Sequence, residues 1–242
     1  RTVILISSRT KHSGDVAYSE PPDLELFSRI ENGVTTLSEV AANNSIRVPM
    51  TALTAEAWSL RPKNAIELLR KLQRECHPLS EWLTVPICYG VKSGLVEAFV
   101  LDTPSARRLI ETGPKVAEIV RPYLLGRHIR RYGEPKSDRW LIYTYHGIDM
   151  QERGVILEHL GPYRNRLGRR ATEQEWYELQ QPQQKYVVLM ERPKIVYPDI
   201  ANECRFTLDL DARICADTAF AIPLAHEALL AVLNSTLSWW YF

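Results

Sequence analysis

The sequence carries no glycine-rich dinucleotide or phosphate loop, no His-Glu-x-x-His, no Gly-x-Ser-x-Gly and no Cys-x-x-Cys. The common local signatures of nucleotide binding, metallohydrolase, serine-hydrolase and dithiol chemistry are therefore missing. Cysteine is scarce: Cys76, Cys88, Cys204 and Cys215 fall at no metal-ligand or redox spacing and suggest no disulfide framework, so a reducing, cytoplasmic setting is the default expectation. The histidines, His12, His77, His128, His146, His159 and His226, include no local metal pair. Cys76 and His77 are adjacent, and adjacent side chains rarely face each other as nucleophile and base do. Long apolar runs are also lacking. Val3–Ile6 is too short for a signal-peptide core, and Ala228–Phe242 is interrupted by Asn234 and falls short of the roughly 20 apolar residues of a bilayer span. No membrane partner is expected. Glycine (11) is outnumbered by proline (15), which favours frequent loops over long uninterrupted helices. There is no internal repeat.

What is present is an ordinary globular composition: 45% hydrophobic and 24% charged over 242 residues, enough for one large domain or two small ones. The net charge is only +1, but it is unevenly placed. Residues 90–200 hold 18 Lys+Arg against 14 Asp+Glu, whereas the remainder holds 12 against 15. Of the 30 basic residues 22 are Arg, the side chain suited to planar, bidentate contacts with phosphates and guanine edges. An arginine-rich genome would give the same bias. The chain opens on Arg1 inside a strand-like run and stops in Trp239-Trp240-Tyr241-Phe242, as expected of a piece of a longer polypeptide.

Thr2–Ser7 reads as a buried strand, followed by a polar, linker-like stretch ending in Pro21-Pro22. Residues 23–44 and 63–76 have helical spacing, with Ile66, Leu69 and Leu72 on one face of the second, while Ile46–Trp58 fits neither template. Val85–Val91 and Leu95–Leu101 read as two strands of a hairpin turning at Lys92-Ser93-Gly94. A helix is expected next, with Thr103 as N-cap and Pro104 at its first position. Trp140–Tyr145, Lys185–Met190 and Lys194–Tyr197 read as strands, and Val155–Leu167 as an amphipathic helix with Ile156, Leu160, Tyr163 and Leu167 on one stripe. The last segment, from Pro223, reads as helical. Strands mixed irregularly with helices predict an α+β fold: a mixed, irregular sheet with packed helices, ending in a helix.

The positive features sit close together. Residues 121–132 place Arg121, Arg127, Arg130 and Arg131 beside Tyr123 and Tyr132, and residues 163–170 add Arg164, Arg166, Arg169 and Arg170 at a helix end. Arginine interleaved with aromatics suits phosphate contact and base-edge reading. Cations at a helix C-terminus also complement its dipole without any ligand, which accounts for about half of the second cluster. Trp176 and Tyr177 are read as core residues rather than stacking platforms. Tyr197-Pro198-Asp199 could open a nuclease carboxylate motif, but Glu203-Cys204-Arg205 puts arginine where a lysine should stand.

The run from Pro86 to Asp102, with Gly90-Val91-Lys92-Ser93-Gly94 and Val96-Glu97-Ala98-Phe99, resembles the signature that opens the TaqI-like C-terminal specificity domain of adenine-specific DNA methyltransferases and type IIG restriction-modification enzymes. Gly126-Arg127-His128-Ile129-Arg130-Arg131-Tyr132 is similar to that family's Gly-Lys-Asp-Ile-Lys-Arg-Tyr block, with His128 at the usually acidic position. Further matching pieces follow in order: Trp140–Tyr143, His159-Leu160, Glu175–Leu179, Lys194–Ile200, Asp217–Phe220 and Leu233-Asn234-Ser235. The resemblance implies three regions: a terminal strand and linker over 1–20, following a methyltransferase domain; a helical connecting region over 21–84; and the specificity domain over 85–242. It also implies a non-catalytic chain whose partners are double-stranded DNA and that upstream domain. The domain's Asn-Pro-Pro-Tyr motif is absent from these residues, so no cofactor is expected in this chain and S-adenosylmethionine is expected upstream. No catalytic or metal residue is assigned. Lys92, Ser93, Arg127, Arg130 and Arg131 lead the candidate DNA contacts, and Arg164, Arg169 and Lys194 complete the set. Two other readings remain open: a restriction-endonuclease fragment with its own hydrolytic site near Asp199, and a protein-interaction domain in a phage-defence assembly.

Overall fold

The structure, a computed structural model, describes residues 14–19, 23, 25–53, 58, 60–61 and 63–242. The expected strand at Thr2–Ser7 lies outside them. The chain divides into two compact units, one ending at Trp82 and the other spanning Leu83–Phe242.

In the first unit, β1 (Asp15–Ser19) pairs antiparallel with β2 (Ser45–Pro49), Val16 opposite Val48 and Tyr18 opposite Ile46. The strand β1 thus occupies part of the stretch expected to be a linker, because Val16 and Tyr18 alternate well enough to pair once β2 is supplied from more distant sequence. Between the two strands lie α1 (Leu26–Glu31) and α2 (Leu37–Asn44). The second begins on a capping box: the Glu39 amide donates to Thr36 Oγ1 (3.2 Å) and the Thr36 amide donates to Glu39 Oε2 (2.8 Å). The amphipathic α3 (Lys63–Glu75) buries Ile66, which shares a small core with Val48, Tyr18, Ile46 and Leu53. A short α4 (Leu79–Trp82) follows.

The second unit is α+β and holds the main core. Its strands are β3 (Cys88–Tyr89), β4 (Val100–Asp102), β5 (Val120–Leu124), β6 (Arg139–Ile142), β7 (Lys194–Pro198), β8 (Thr207–Asp209), β9 (Ile214–Cys215) and β10 (Ala219–Ile222). They form two four-stranded sheets, one ordered β3-β10-β7-β8 and antiparallel throughout, the other ordered β4-β6-β5-β9 with a parallel β5/β9 pair. Helices α5 (Val96–Phe99), α6 (Thr103–Ile110), α7 (Pro114–Ala117), α8 (Gly154–Leu160), α9 (Arg164–Leu167) and α10 (Gln184–Met190) lie among the strands, and α11 (Glu227–Leu233) and α12 (Thr236–Tyr241) end the chain. Phe99, Leu124, Leu141, Ile142, Ile156, Leu160 and Met190 are fully buried in one core, each contributing about 1.5–3 kcal/mol of transfer free energy.

Several local expectations need correction. Residues 85–101 form no hairpin: Val91 bridges to Ala216 and Lys92 to Gln181, while Val96–Phe99 winds into one helical turn and Val100–Asp102 joins the other sheet. Long-range partners outcompete the local pairing that a Gly-containing tripeptide suggests. The cap of α6 is Asp102, one residue before Thr103, because its carboxylate accepts the Ser105 amide at 2.8 Å. Residues 184–190 are helix rather than strand: Val187 and Met190 are buried three apart while Val188 is exposed, a helical rather than a two-residue period. The expected helix over 155–167 is interrupted by a 3-10 turn at Gly161–Tyr163, yet its stripe of Ile156, Leu160 and Leu167 is buried.

Candidate nucleic-acid interface

The first arginine block starts where β5 ends. A 3-10 turn over Gly126–His128 is pinned by the Gly126 amide, which donates to Thr218 Oγ1 at 3.0 Å. A Cβ at position 126 would stand 2.1 Å from the Thr218 carbonyl oxygen, so only glycine allows this approach. Gly90 is under the same constraint from a neighbouring residue of that segment: its Cβ would meet the Ala216 oxygen at 1.7 Å.

The turn presents Arg127 outward, with its Nε 3.4 Å from His128 Nε2. Arg130 folds back, donating from Nη1 to the carbonyls of Arg127 (2.6 Å) and Ile129 (2.9 Å). Arg131 donates from Nη2 to the Asn234 carbonyl (2.7 Å) and lies over the Tyr132 ring at 5.3 Å. All three remain exposed. Asn234 in turn uses both ends of its amide on Phe206, accepting its N–H at 3.1 Å and donating to its carbonyl at 2.8 Å. His128 has a buried Nδ1 with no hydrogen-bond partner. Burial, and then the neighbouring Arg127 guanidinium, hold its imidazole below the ordinary value, so position 128 carries a ring biased towards neutrality.

The second block is divided among different tasks. Arg164 is exposed over the Trp176 ring at 5.1 Å, Arg166 pairs with Glu97 at 3.4 Å, and Arg169 is exposed. Arg170, outside the expected contact set, is half-buried and donates to the carbonyls of Leu167 (2.8 Å), Glu178 (2.7 Å), Trp176 (3.1 Å), Ser93 (3.3 Å) and Glu175 (3.3 Å). It therefore closes α9 and holds the following loop. Glu178, also unforeseen, is buried and accepts the amides of Gly147 (2.7 Å) and Glu175 (3.2 Å). Nothing in the spacing separates Arg170 from Arg169; only the fold does. Trp176 and Tyr177 are half-buried, pack edge-on at 5.7 Å and lean on the main core.

Lys92 is exposed, whereas Ser93 is 5% exposed. Both border a groove of about 600 Å³ lined also by Gly94, Leu95, Val96, Glu97, Tyr123, Leu125, Gln180 and Asp217. Lys194 is a correction: it is 0% exposed, and its Nζ donates to Asp209 Oδ2 (2.7 Å) and the Asp211 carbonyl (3.2 Å). It faces Asp209 across the β7/β8 pair, and Arg213 completes the cluster, so it offers no surface to a nucleic acid.

Among the described residues no group of three or more His, Cys, Asp or Glu side chains could hold a metal ion, and no helix is long and apolar enough to cross a membrane. Asp199 is exposed, its amide donating to the Thr218 carbonyl. The buried thiols of Cys88 and Cys215 are pushed up to about 11 and about 12 by burial, which keeps them protonated and unreactive at neutral pH.

A family model described as the TaqI-like C-terminal specificity domain matches residues 121–242. No curated protein matches the chain. Among solved structures, the chain is similar to that of the Type IIL restriction-modification enzyme MmeI in complex with DNA, at 17% identity and a TM-score of 0.43. The match covers 64% of this chain and 21% of that one.

Proposed function

This chain belongs to the family of TaqI-like C-terminal specificity domains, and from that premise we propose that it is the DNA target-recognition module of a restriction-modification enzyme. It positions duplex DNA for adenine methylation by a catalytic domain elsewhere in the same protein. The observation that carries this reading is the state of the arginines: Arg127, Arg130, Arg131, Arg164 and Arg169 are all exposed, and among the described residues none forms an ion pair with a carboxylate. The hydrogen bonds of Arg127, Arg130 and Arg131 go to neutral carbonyls or an imidazole, and Arg164 lies over the Trp176 ring, contacts that orient the guanidinium without cancelling its charge. Oriented, uncompensated guanidiniums suit phosphate oxygens, which fix register on the duplex. Rotating a base out of the stack costs a few kcal/mol, and contacts of this kind offset it.

This reading assigns methyl transfer and S-adenosylmethionine to the catalytic domain elsewhere in the protein. Asn-Pro-Pro-Tyr does not occur in this chain, and Tyr123, the one aromatic residue lining the groove, is 2% exposed.

The test is a salt titration of duplex binding by the intact natural protein. Each phosphate contact contributes about −0.9 to the slope of log K against log salt. Arg127→Ala is expected to flatten that slope by about one unit and to weaken all duplexes alike, and duplex DNA treated with the parent protein is expected to gain methyl groups at adenine N6. An unchanged slope would remove Arg127 from the interface. Absence of salt-dependent duplex binding by the parent would overturn the whole reading.

A further inference from the structure

The groove beside Lys92 has walls from distant parts of the chain, locked together. Lys92 and Gln181 exchange backbone hydrogen bonds at 3.0 and 2.9 Å, and the Gln180 amide donates to the Ser93 carbonyl at 3.4 Å. Arg170 reaches both walls, donating to Ser93 O on one and Glu178 O on the other. Gly94 permits the junction: its φ is +78°, and a Cβ there would meet Arg170 Cδ and Gln180 Cβ, each at 2.9 Å. On the remaining side, the Asp217 amide donates to the Val91 carbonyl, and the Tyr123 hydroxyl donates to the same oxygen at 3.1 Å.

Most polar side chains nearby are committed. Glu178 holds two amides, Arg170 its five carbonyls and Glu97 the Arg166 guanidinium. By contrast, the Lys92 ammonium, the Gln180 side-chain amide and the Asp217 carboxylate, all lining the groove, have no side-chain hydrogen bond or ion pair among the described residues. They differ in kind: a donor, a donor-acceptor pair and an acceptor. A carboxylate repels phosphates and accepts hydrogen bonds, so in a groove that faces duplex DNA it suits a donor on a base edge. Base edges in the major groove supply that donor: cytosine N4 suits a carboxylate, adenine N6 and N7 suit an amide, and guanine O6 and N7 suit an ammonium.

We infer that this groove is the base-reading site of the chain, with Gln180 and Asp217 as specificity-determining residues, Lys92 at its rim and Arg170 as the positioning residue that holds its walls. The inference rests on the DNA-recognition reading above, and locates discrimination away from the exposed arginines. Gln180 takes adenine as its ligand and Asp217 the amino group of cytosine.

The test is selection of bound duplexes from a randomised pool by the intact natural protein and its variants, with a parallel salt titration. For wild type a motif containing adenine and cytosine positions is expected. Gln180→Ala should lose roughly tenfold or more of the discrimination at one adenine position, and Asp217→Ala similarly at one cytosine, both with the salt slope unchanged. Arg170→Lys should blur both positions together, whereas a purely structural role would lower the unfolding midpoint and leave the selected motif intact. If Gln180→Ala and Asp217→Ala return the wild-type motif undiminished, the groove inference is overturned while the DNA-recognition reading stands. If the wild-type protein selects nothing and shows no salt-dependent binding, both are overturned.

Discussion

Between Arg164 and Arg170, one guanidinium lies on a Trp ring, one is paired with Glu97, one is exposed, and one is half-buried under main-chain carbonyls. Between Arg127 and Arg131, all three guanidiniums touch only neutral groups of their immediate surroundings and stay exposed. The two stretches look equivalent as sequence, and they deliver different fields to solvent. What separates them is the acceptor: a carboxylate cancels charge and burial encloses it, whereas a carbonyl at the surface orients it and leaves it intact. Lys194, fully buried against Asp209, is the extreme of the first kind, a basic residue that belongs wholly to the fold.

The largest expected effect is at that extreme. Lys194→Ala leaves Asp209 with Arg213 as its only remaining cation in the cluster, and breaking a buried pair in this way costs about 3–5 kcal/mol. Urea unfolding is expected to show that loss, and duplex binding by the surviving folded fraction is expected to keep its salt slope. A stability change under about 1 kcal/mol would mean that the buried charge is not held as described. Next comes the neighbouring pair Arg169 and Arg170. Arg170→Ala should cost about 2 kcal/mol, from charged donors withdrawn from carbonyls such as that of Glu178. Arg169→Ala should stay within about 0.5 kcal/mol of wild type yet flatten the salt slope by about one unit. Equal effects on both readouts would mean that the two arginines share one role.

The smallest effect is expected at His128. Its folded-state imidazole titrates below its unfolded value, so the unfolded chain binds more protons over the interval between them. Stability is therefore full above about pH 6.5, the unfolded value, and declines as pH falls towards the folded one. Unfolding midpoints between pH 8 and pH 5 should show this decline, and His128→Gln should remove that part of it. An undiminished decline in the variant would assign the pH dependence to other groups.

The α+β class, the helices at residues 63–75, 227–233 and 236–241, the strand at Lys194 and the stripe Ile156, Leu160 and Leu167 were all legible, because each is written in local periodicity. The misreadings share a cause. Residues 85–101 and 184–190 are short apolar runs, whose period is too brief to choose between strand and helix until a partner elsewhere in the chain is known. At the candidate interface, Arg127 and Lys92 could be read as exposed cations, but Lys194 could not be told from them. Its counter-charge, Asp209, becomes its neighbour only when β7 meets β8. Asp217 falls in one of the matching pieces and Gln180 in none, and nothing local joins them: a groove assembled from residues 92–97, 123–125, 180 and 217 leaves no contiguous trace.

The segment from Ala216 to Ala219 gives the molecule an uneven tolerance to change. Its carbonyls press against both Gly90 and Gly126, so closely that the smallest side chain at either glycine would collide with main chain, which cannot rotate out of the way. Neither position can drift by a single substitution while the segment stays in place. Lys92 and Arg127 stand one or two residues beyond these fixed points, on ground where side-chain identity is far freer. For anyone redesigning the surface, the two glycines therefore act as datum points. Residues next to them can be exchanged with their main-chain positions already set, so a library confined to those neighbours would sample new chemistry on an unchanged frame.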